Sequence, residues 1–176
     1  MNERSSSSII LRTTTIHDVD RLQALGSETF LETHRTSAPI QDLQHYIEEK
    51  YNLEAITAEL QDSQNIFSLL YYDDSLAGYS KLILGSSYEG EHPVAHLDRF
   101  YLLGKFCGIG LGSELLEYNV KLAIQNRQAS LWLNVWSGNV KAIQFYERKG
   151  FEIVKATTFK ISERHSNDCL HMLRRL

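Results

Sequence analysis

Two prolines and 10 glycines among 176 residues leave little to break helices and strands, and nothing in the chain resembles a linker, a low-complexity tract or an internal repeat. With 43% apolar residues, this length predicts one globular domain with a substantial core. Cysteine is equally scarce. Cys107 and Cys169 stand far apart and form neither a disulfide framework nor a C-x-x-C metal or redox pair, so both are expected to be reduced thiols. No apolar run approaches the roughly 18–20 residues of a bilayer span, and Met1-Asn2-Glu3-Arg4 followed by four serines has no apolar signal core. The expectation is a soluble, cytoplasmic protein without a membrane partner. Basic charge is lacking too: 18 Lys and Arg face 22 Asp and Glu, a net charge of −4, which offers no field for a phosphate backbone and excludes nucleic acid as the expected partner.

What is present is an ordered alternation of periods. Residues 1–8 read as a disordered polar tail, and 9–176 as a single domain. Ile9-Ile10-Leu11 opens a strand, and Thr15 with Asp18 reads as the N-cap of a helix reaching His34. Pro39 suits the first turn of a second helix, and Leu53 to Leu60 a third. Two strands around Asp73-Asp74-Ser75 form a hairpin, residues 85–93 read as a polar loop, and a strand follows from Val94 to Leu102. After it come a glycine-rich turn, a helix bearing Leu111, Leu115 and Leu122, a strand over 130–136, a helix over 140–149, and strands over 151–161 and 168–173. This order predicts an α/β (α+β) fold, a mixed, mostly antiparallel sheet of about seven strands flanked by helices.

The most informative segment is Cys107-Gly108-Ile109-Gly110-Leu111-Gly112-Ser113. Alternate glycines at a helix start let successive backbone N–H groups face one anion, aided by the helix dipole. A bare packing turn is the structural alternative. A Walker loop is excluded because no lysine precedes Ser113, and a dinucleotide fold because Leu131 to Trp136 ends without an acid. His92 and His96 have the metal spacing of a helix, but Pro93 and the strand pattern between them separate the rings, so no metal is expected.

Together with His96-Leu97-Asp98-Arg99-Phe100-Tyr101-Leu102 upstream, and Asn139, Ala142, Phe145-Tyr146 and Gly150-Phe151 downstream, this turn resembles the GNAT family of acyl-CoA-dependent N-acetyltransferases. The family pattern Q/R-x-x-G-x-G/A overlays Cys107 to Gly112, with Cys107 where Gln or Arg is usual. Asn-x-x-Ala-x-x-x-Tyr followed by Gly-Phe overlays Asn139 to Phe151. Thr29-Phe30-Leu31-Glu32-Thr33 and the tail from Thr158 resemble the PaiA-like branch, which acetylates polyamines.

The resemblance implies the GNAT fold and direct transfer of acetyl from acetyl-CoA to an amine in a ternary complex. It places pyrophosphate on Cys107, Gly108, Ile109, Gly110, Leu111, Gly112 and Ser113. Pantetheine and thioester would lie along Phe100, Tyr101, Leu102, Asn139, Phe145 and Tyr146. It makes Tyr146 the acid that protonates the departing thiolate, where a buried core aromatic is the alternative. His96 stands where some members carry a catalytic glutamate, and strict alternation would put it on one face with Asp98, Phe100 and Leu102. His96, Asp98 and water all remain open as the general base, and Asp98 is equally read as an ion-pair partner. Lys105 and Lys149 are phosphate candidates. Cys107, at a helix N-terminus beside an anion site, is expected to have a lowered pKa.

A base is needed because an ammonium of pKa near 10.4 costs about 4.6 kcal/mol to deprotonate at pH 7. The expected acceptor is a small-molecule amine, a polyamine first. Amino-acid or peptide and protein amines, and a non-catalytic CoA-binding regulatory module, are the alternatives. A homodimer is left open.

Overall fold

The computed structural model describes residues 7–176. Its elements run β1 (Ile9–Thr13), α1 (Val19–His34), α2 (Ile40–Lys50), α3 (Leu53–Gln61), β2 (Asn65–Tyr72), β3 (Ser75–Tyr88), β4 (Glu91–Leu102), α4 (Leu111–Gln125), β5 (Ser130–Trp136), α5 (Val140–Arg148), β6 (Glu152–Lys160) and β7 (Ser166–Arg175). All seven strands join one sheet in the order β1-β2-β3-β4-β5-β7-β6, and only β4 and β5 pair in parallel. Helices cover both faces, so two apolar layers flank the sheet. Leu116, Val120, Leu131, Leu133 and Tyr146 fill the layer on the α4 and α5 side. Leu22, Leu25, Phe30, Leu43, Phe67 and Tyr79 fill the other, beneath α1 to α3.

Local chemistry explains how the first helix is aimed. The Thr15 side chain accepts from the His17 amide at 3.3 Å while the Asp18 carboxylate accepts from the Thr15 amide at 3.0 Å, a reciprocal cap. It caps a short 3₁₀ turn, Ile16–Asp18, that leads into α1, where the sequence had suggested one continuous helix. Asp18 is only 2% exposed, and its ionised form is secured by a two-pronged contact with Arg12 at 2.7 and 2.8 Å.

Two readings are corrected. Residues 1–6 of the expected disordered tail lie outside the described residues. Ser7 and Ser8 are held instead: the Ser8 amide donates to the Asp73 carboxylate at 2.8 Å, and Tyr72 donates to the Ser7 hydroxyl at 2.8 Å. Residues 85–93 are not a loop. β3 and β4 continue through them with Ser86 opposite Val94 and Tyr88 opposite Glu91, turning only at Glu89 and Gly90. The polar run stays extended because Tyr88 is buried against Trp132 and His171, with ring centroids 5.0 and 5.6 Å away. That partner is distant in sequence and leaves no local periodicity.

Candidate active site

β4 and β5 pair only at Ala95–Leu131, His96–Trp132 and Leu97–Leu133. Beyond that point they part, and a cavity of 620 Å³ opens between them. The split coincides with a bulge. Arg99 lies opposite Lys81 and Leu97 opposite Leu82, so Asp98 is an extra residue with no partner on β3. One extra residue reverses the facing of everything before it.

This corrects the shared face expected for His96, Asp98, Phe100 and Leu102. Leu97, not His96, packs with Phe100 in the α4–α5 layer. The His96 ring stacks on Trp132 at 3.7 Å and lies outside the cavity wall, its Nδ1 4.0 Å from Asp98. Burial lowers the His96 pKa to about 4 despite the opposing carboxylate, so the ring is neutral at pH 7. Asp98 does line the cavity. Burial pushes its carboxyl up, but Lys81 at 3.1 Å and Arg99 outweigh this and leave it below the usual carboxylate range. Glu59 closes the network, 3.1 Å from Lys81 and 2.7 Å from Arg99. The network's formal charges balance.

At one end of the cavity lies the glycine turn. Glu32 accepts from the Gly104 amide at 2.9 Å and fixes the approach to it. Gly108 and Gly110 have φ of +84° and +94°, where a side chain is strained, and a Cβ on either would meet nothing within 4 Å. Open space in front of a left-handed backbone at the head of α4 is the shape of a cradle. The first amide from Gly108 onward to find a backbone carbonyl is that of Ser113, bonded to Gly110 at 2.9 Å, so the amides ahead of it are available to an anion. Cys107, Gly108, Gly110, Gly112 and Ser113 line the cavity. The Ile109 side chain is 54% exposed and Leu111 is buried beneath the sheet, so these two can contribute only their backbone.

The thiol expectation is also corrected. Burial, followed by the nearby Glu32, raises the Cys107 pKa, and Lys141 only partly opposes them. Burial, the larger of the two raising causes, disfavours the thiolate.

The opposite wall is α5. Asn139 caps it, its Oδ1 accepting from the Ala142 amide at 3.2 Å. Tyr146 is 6% exposed and lines the cavity among Phe100, Phe145 and Phe151, with centroids 6.0, 5.3 and 5.5 Å away. Burial raises its phenol pKa well above the usual value, so the hydroxyl keeps its proton at neutral pH. The helix ends as predicted. Gly150, at φ +82°, donates to Glu147 at 3.0 Å and Phe151 donates to Tyr146 at 3.0 Å, a closure that locks the last turn and the direction of Tyr146.

Neither lysine singled out from the sequence lines the cavity: Lys149 faces Glu117 at 3.8 Å, and Lys105 lies over the Phe106 ring at 5.1 Å. Lys141 and Arg148 do line it, one helical face from Phe145. That spacing was legible from Phe145, which the resemblance placed beside the cofactor.

A third side comes from the end of α1, from β5 and from Tyr101 of β4; Tyr101 was placed beside pantetheine by the resemblance, whereas His34, Asn134 and Trp136 were not singled out in the sequence. Thr33, His34, Tyr101, Asn134 and Trp136 line it, while residues 85–93 do not. His34 Nε2 is 3.4 Å from the Tyr101 hydroxyl, and burial lowers the His34 pKa to about 4. The Asn134 Oδ1 is buried with no hydrogen-bond partner among the described residues, a deficit that typically costs about 1–3 kcal/mol. Among the described residues, no three His, Cys, Asp or Glu side chains come together to hold a metal, and no helix is long and apolar enough to cross a membrane.

A sheet split beside a bulged strand, with a free-amide turn at the head of the next helix, makes a cleft that can hold an anionic group at one end. Residues 27–151 match the Acetyltransferase (GNAT) family, and the chain belongs to that family. It is an acyl-CoA-dependent N-acetyltransferase by class. Over 155 residues it is 26% identical to an uncharacterized N-acetyltransferase of Lactobacillus delbrueckii subsp. lactis, covering 87% of this chain and 90% of that one. A spermine/spermidine N(1)-acetyltransferase of Bacillus subtilis is 30% identical over 86 residues, 47% of this chain and 57% of that one. The fold is similar to that of the PaiA N-acetyltransferase of Thermoplasma acidophilum, crystallised with coenzyme A, with a TM-score of 0.78 at 22% identity over 96% of this chain and 99% of that one.

Proposed function

We propose that this chain transfers acetyl from acetyl-CoA directly to the primary amine of a small molecule, with a polyamine as the first candidate acceptor. The observation that carries the reading is the single cavity running from the open Gly108–Gly110 cradle, past Tyr146, to the polar wall of His34, Asp98 and Asn134. Acetyl-CoA supplies an activated thioester and a diphosphate whose negative charge the cradle amides, Lys141 and Arg148 suit. Phe100 to Leu102, freed from β5, offer backbone groups to the pantetheine arm. Tyr146, still protonated at neutral pH, donates to the departing sulfur. The polyamine assignment draws support from the Bacillus subtilis relative, which matches only half of the chain.

None of the ionisable groups on the acceptor wall is a strong base: Asp98 is held ionised by Lys81, and His34 and the neighbouring His96 stay neutral down to about pH 4. The amine's proton therefore leaves through water, and the neutral fraction of the amine, about 1 part in 2,500 for a pKa near 10.4, limits the rate at pH 7. Thiol release from acetyl-CoA, followed with spermidine, spermine and a panel of monoamines, amino acids and peptides, tests the acceptor. For a good acceptor, kcat/KM should climb steadily between pH 6 and 9 with no inflection near 6.5. An inflection there would assign the base to a histidine with ordinary basicity, and turnover confined to peptides would overturn the small-molecule reading.

A further inference from the structure

We infer that Asn134 is the residue that holds the reacting nitrogen of the acceptor, and that it selects primary over secondary amines. The inference rests on the acetyltransferase reading above and adds a contact at the same site. Along β5, Leu131, Leu133 and Val135 enter the core on the α4–α5 side, so Trp132, Asn134 and Trp136 face the opposite way. Asn134 is the first residue past the last β4–β5 pair, level with the bulged Asp98 at the point where the strands part. It lines the cavity with Asp98, Tyr101 and His34, yet its Oδ1 is buried and bonds to nothing among the described residues. Trp132 Nε1 is likewise buried and unpartnered, but Trp132 lies outside the cavity wall, under His96. Among the described residues, Asn134 alone pairs an unmet polar atom with a place on the cavity wall.

What Oδ1 lacks is a donor, and an amine's N–H supplies one. The neutral primary amine carries two hydrogens on nitrogen. Its lone pair forms the new bond to the acetyl carbon, the bond from that carbon to sulfur breaks, one hydrogen leaves as a proton to water, sulfur departs as the thiol with the proton from Tyr146, and the phenolate regains its proton from water. The second hydrogen stays on the product amide. Asn134 can therefore keep one N–H from the bound amine through to the product, whereas a secondary amine must give up its only hydrogen and leaves Oδ1 unmet.

Asn134→Leu preserves size and removes the acceptor atom; Asn134→Asp keeps an oxygen in the same place. With butylamine and with spermidine, Asn134→Leu should lower kcat/KM about tenfold or more by the same factor for both, leave acetyl-CoA affinity unchanged, and raise the thermal midpoint because an unpaired polar group is gone. The preference for butylamine over N-methylbutylamine should shrink by that factor. Asn134→Asp should recover most of the lost rate. Unchanged kcat/KM in Asn134→Leu would overturn the inference. So would a parallel loss of acetyl-CoA affinity, which would place Asn134 on the cofactor wall, or a loss confined to spermidine, which would place it on a distal amine. If wild type releases no thiol with any amine, the proposed function fails by itself. Calorimetric binding of butylamine to the CoA complex then decides the inference: binding weakened in Asn134→Leu supports it, and equal or absent binding rejects it.

Discussion

Replacing Tyr146 by phenylalanine is expected to lower kcat by about 10²–10⁴, the usual range for a lost general acid, while acetyl-CoA affinity changes little. The substitution removes one oxygen. Tyr146 is packed among Phe100, Phe145 and Phe151, so a phenylalanine ring occupies the same space and the fold should be retained. Burial keeps the phenol protonated far into the alkaline range, so the acid stays available over the pH span in which the free amine accumulates. The two requirements do not conflict: activity is expected to rise with pH through the substrate without being cut off by the enzyme. A variant with near-normal kcat on a good acceptor would reduce Tyr146 to a packing aromatic and transfer protonation of the sulfur to water.

Gly110→Glu is expected to abolish detectable acetyl-CoA binding in calorimetry. Gly110 stands at φ +94° as the residue before α4, and a side chain there projects into open space in front of the free amides. Two effects add. Any residue with a Cβ is strained by about 1–2 kcal/mol in this conformation. A carboxylate would also sit where a phosphate is to lie, and two like charges about 4 Å apart near a protein surface repel by about 4 kcal/mol, close to a thousandfold in affinity. Gly110→Ala separates them, because it carries the strain without the charge and should cost far less affinity. Both variants should fold, with a midpoint lower by about 2–8 °C, since the strain is local and no neighbour is displaced. Binding by Gly110→Glu at wild-type affinity would move the phosphates away from this turn.

The turn, the Asn139 cap and the Gly150 stop were legible because each is a local device whose residues act within a few positions of one another. The seven-stranded mixed sheet with flanking helices was legible for the same reason, through periods that change at turns. Local signals also determined what the chain avoids, with no basic field and no run of apolar residues long enough for a bilayer.

Tertiary structure decided the rest. The bulge at Asp98 depends on how β3 registers with β4, and it moves His96 off the face of Phe100 while Asp98 stays on the cavity wall with His34 and Asn134. The hairpin through residues 85–93 exists because Tyr88 finds Trp132 and His171, far along the chain. The Cys107 thiol is raised and not lowered because burial, and after it the Glu32 carboxylate carried on α1, disfavours the thiolate. Facing, burial and charge environment are set by contacts between segments distant in sequence, and a pattern read along one strand carries no record of its neighbour's register.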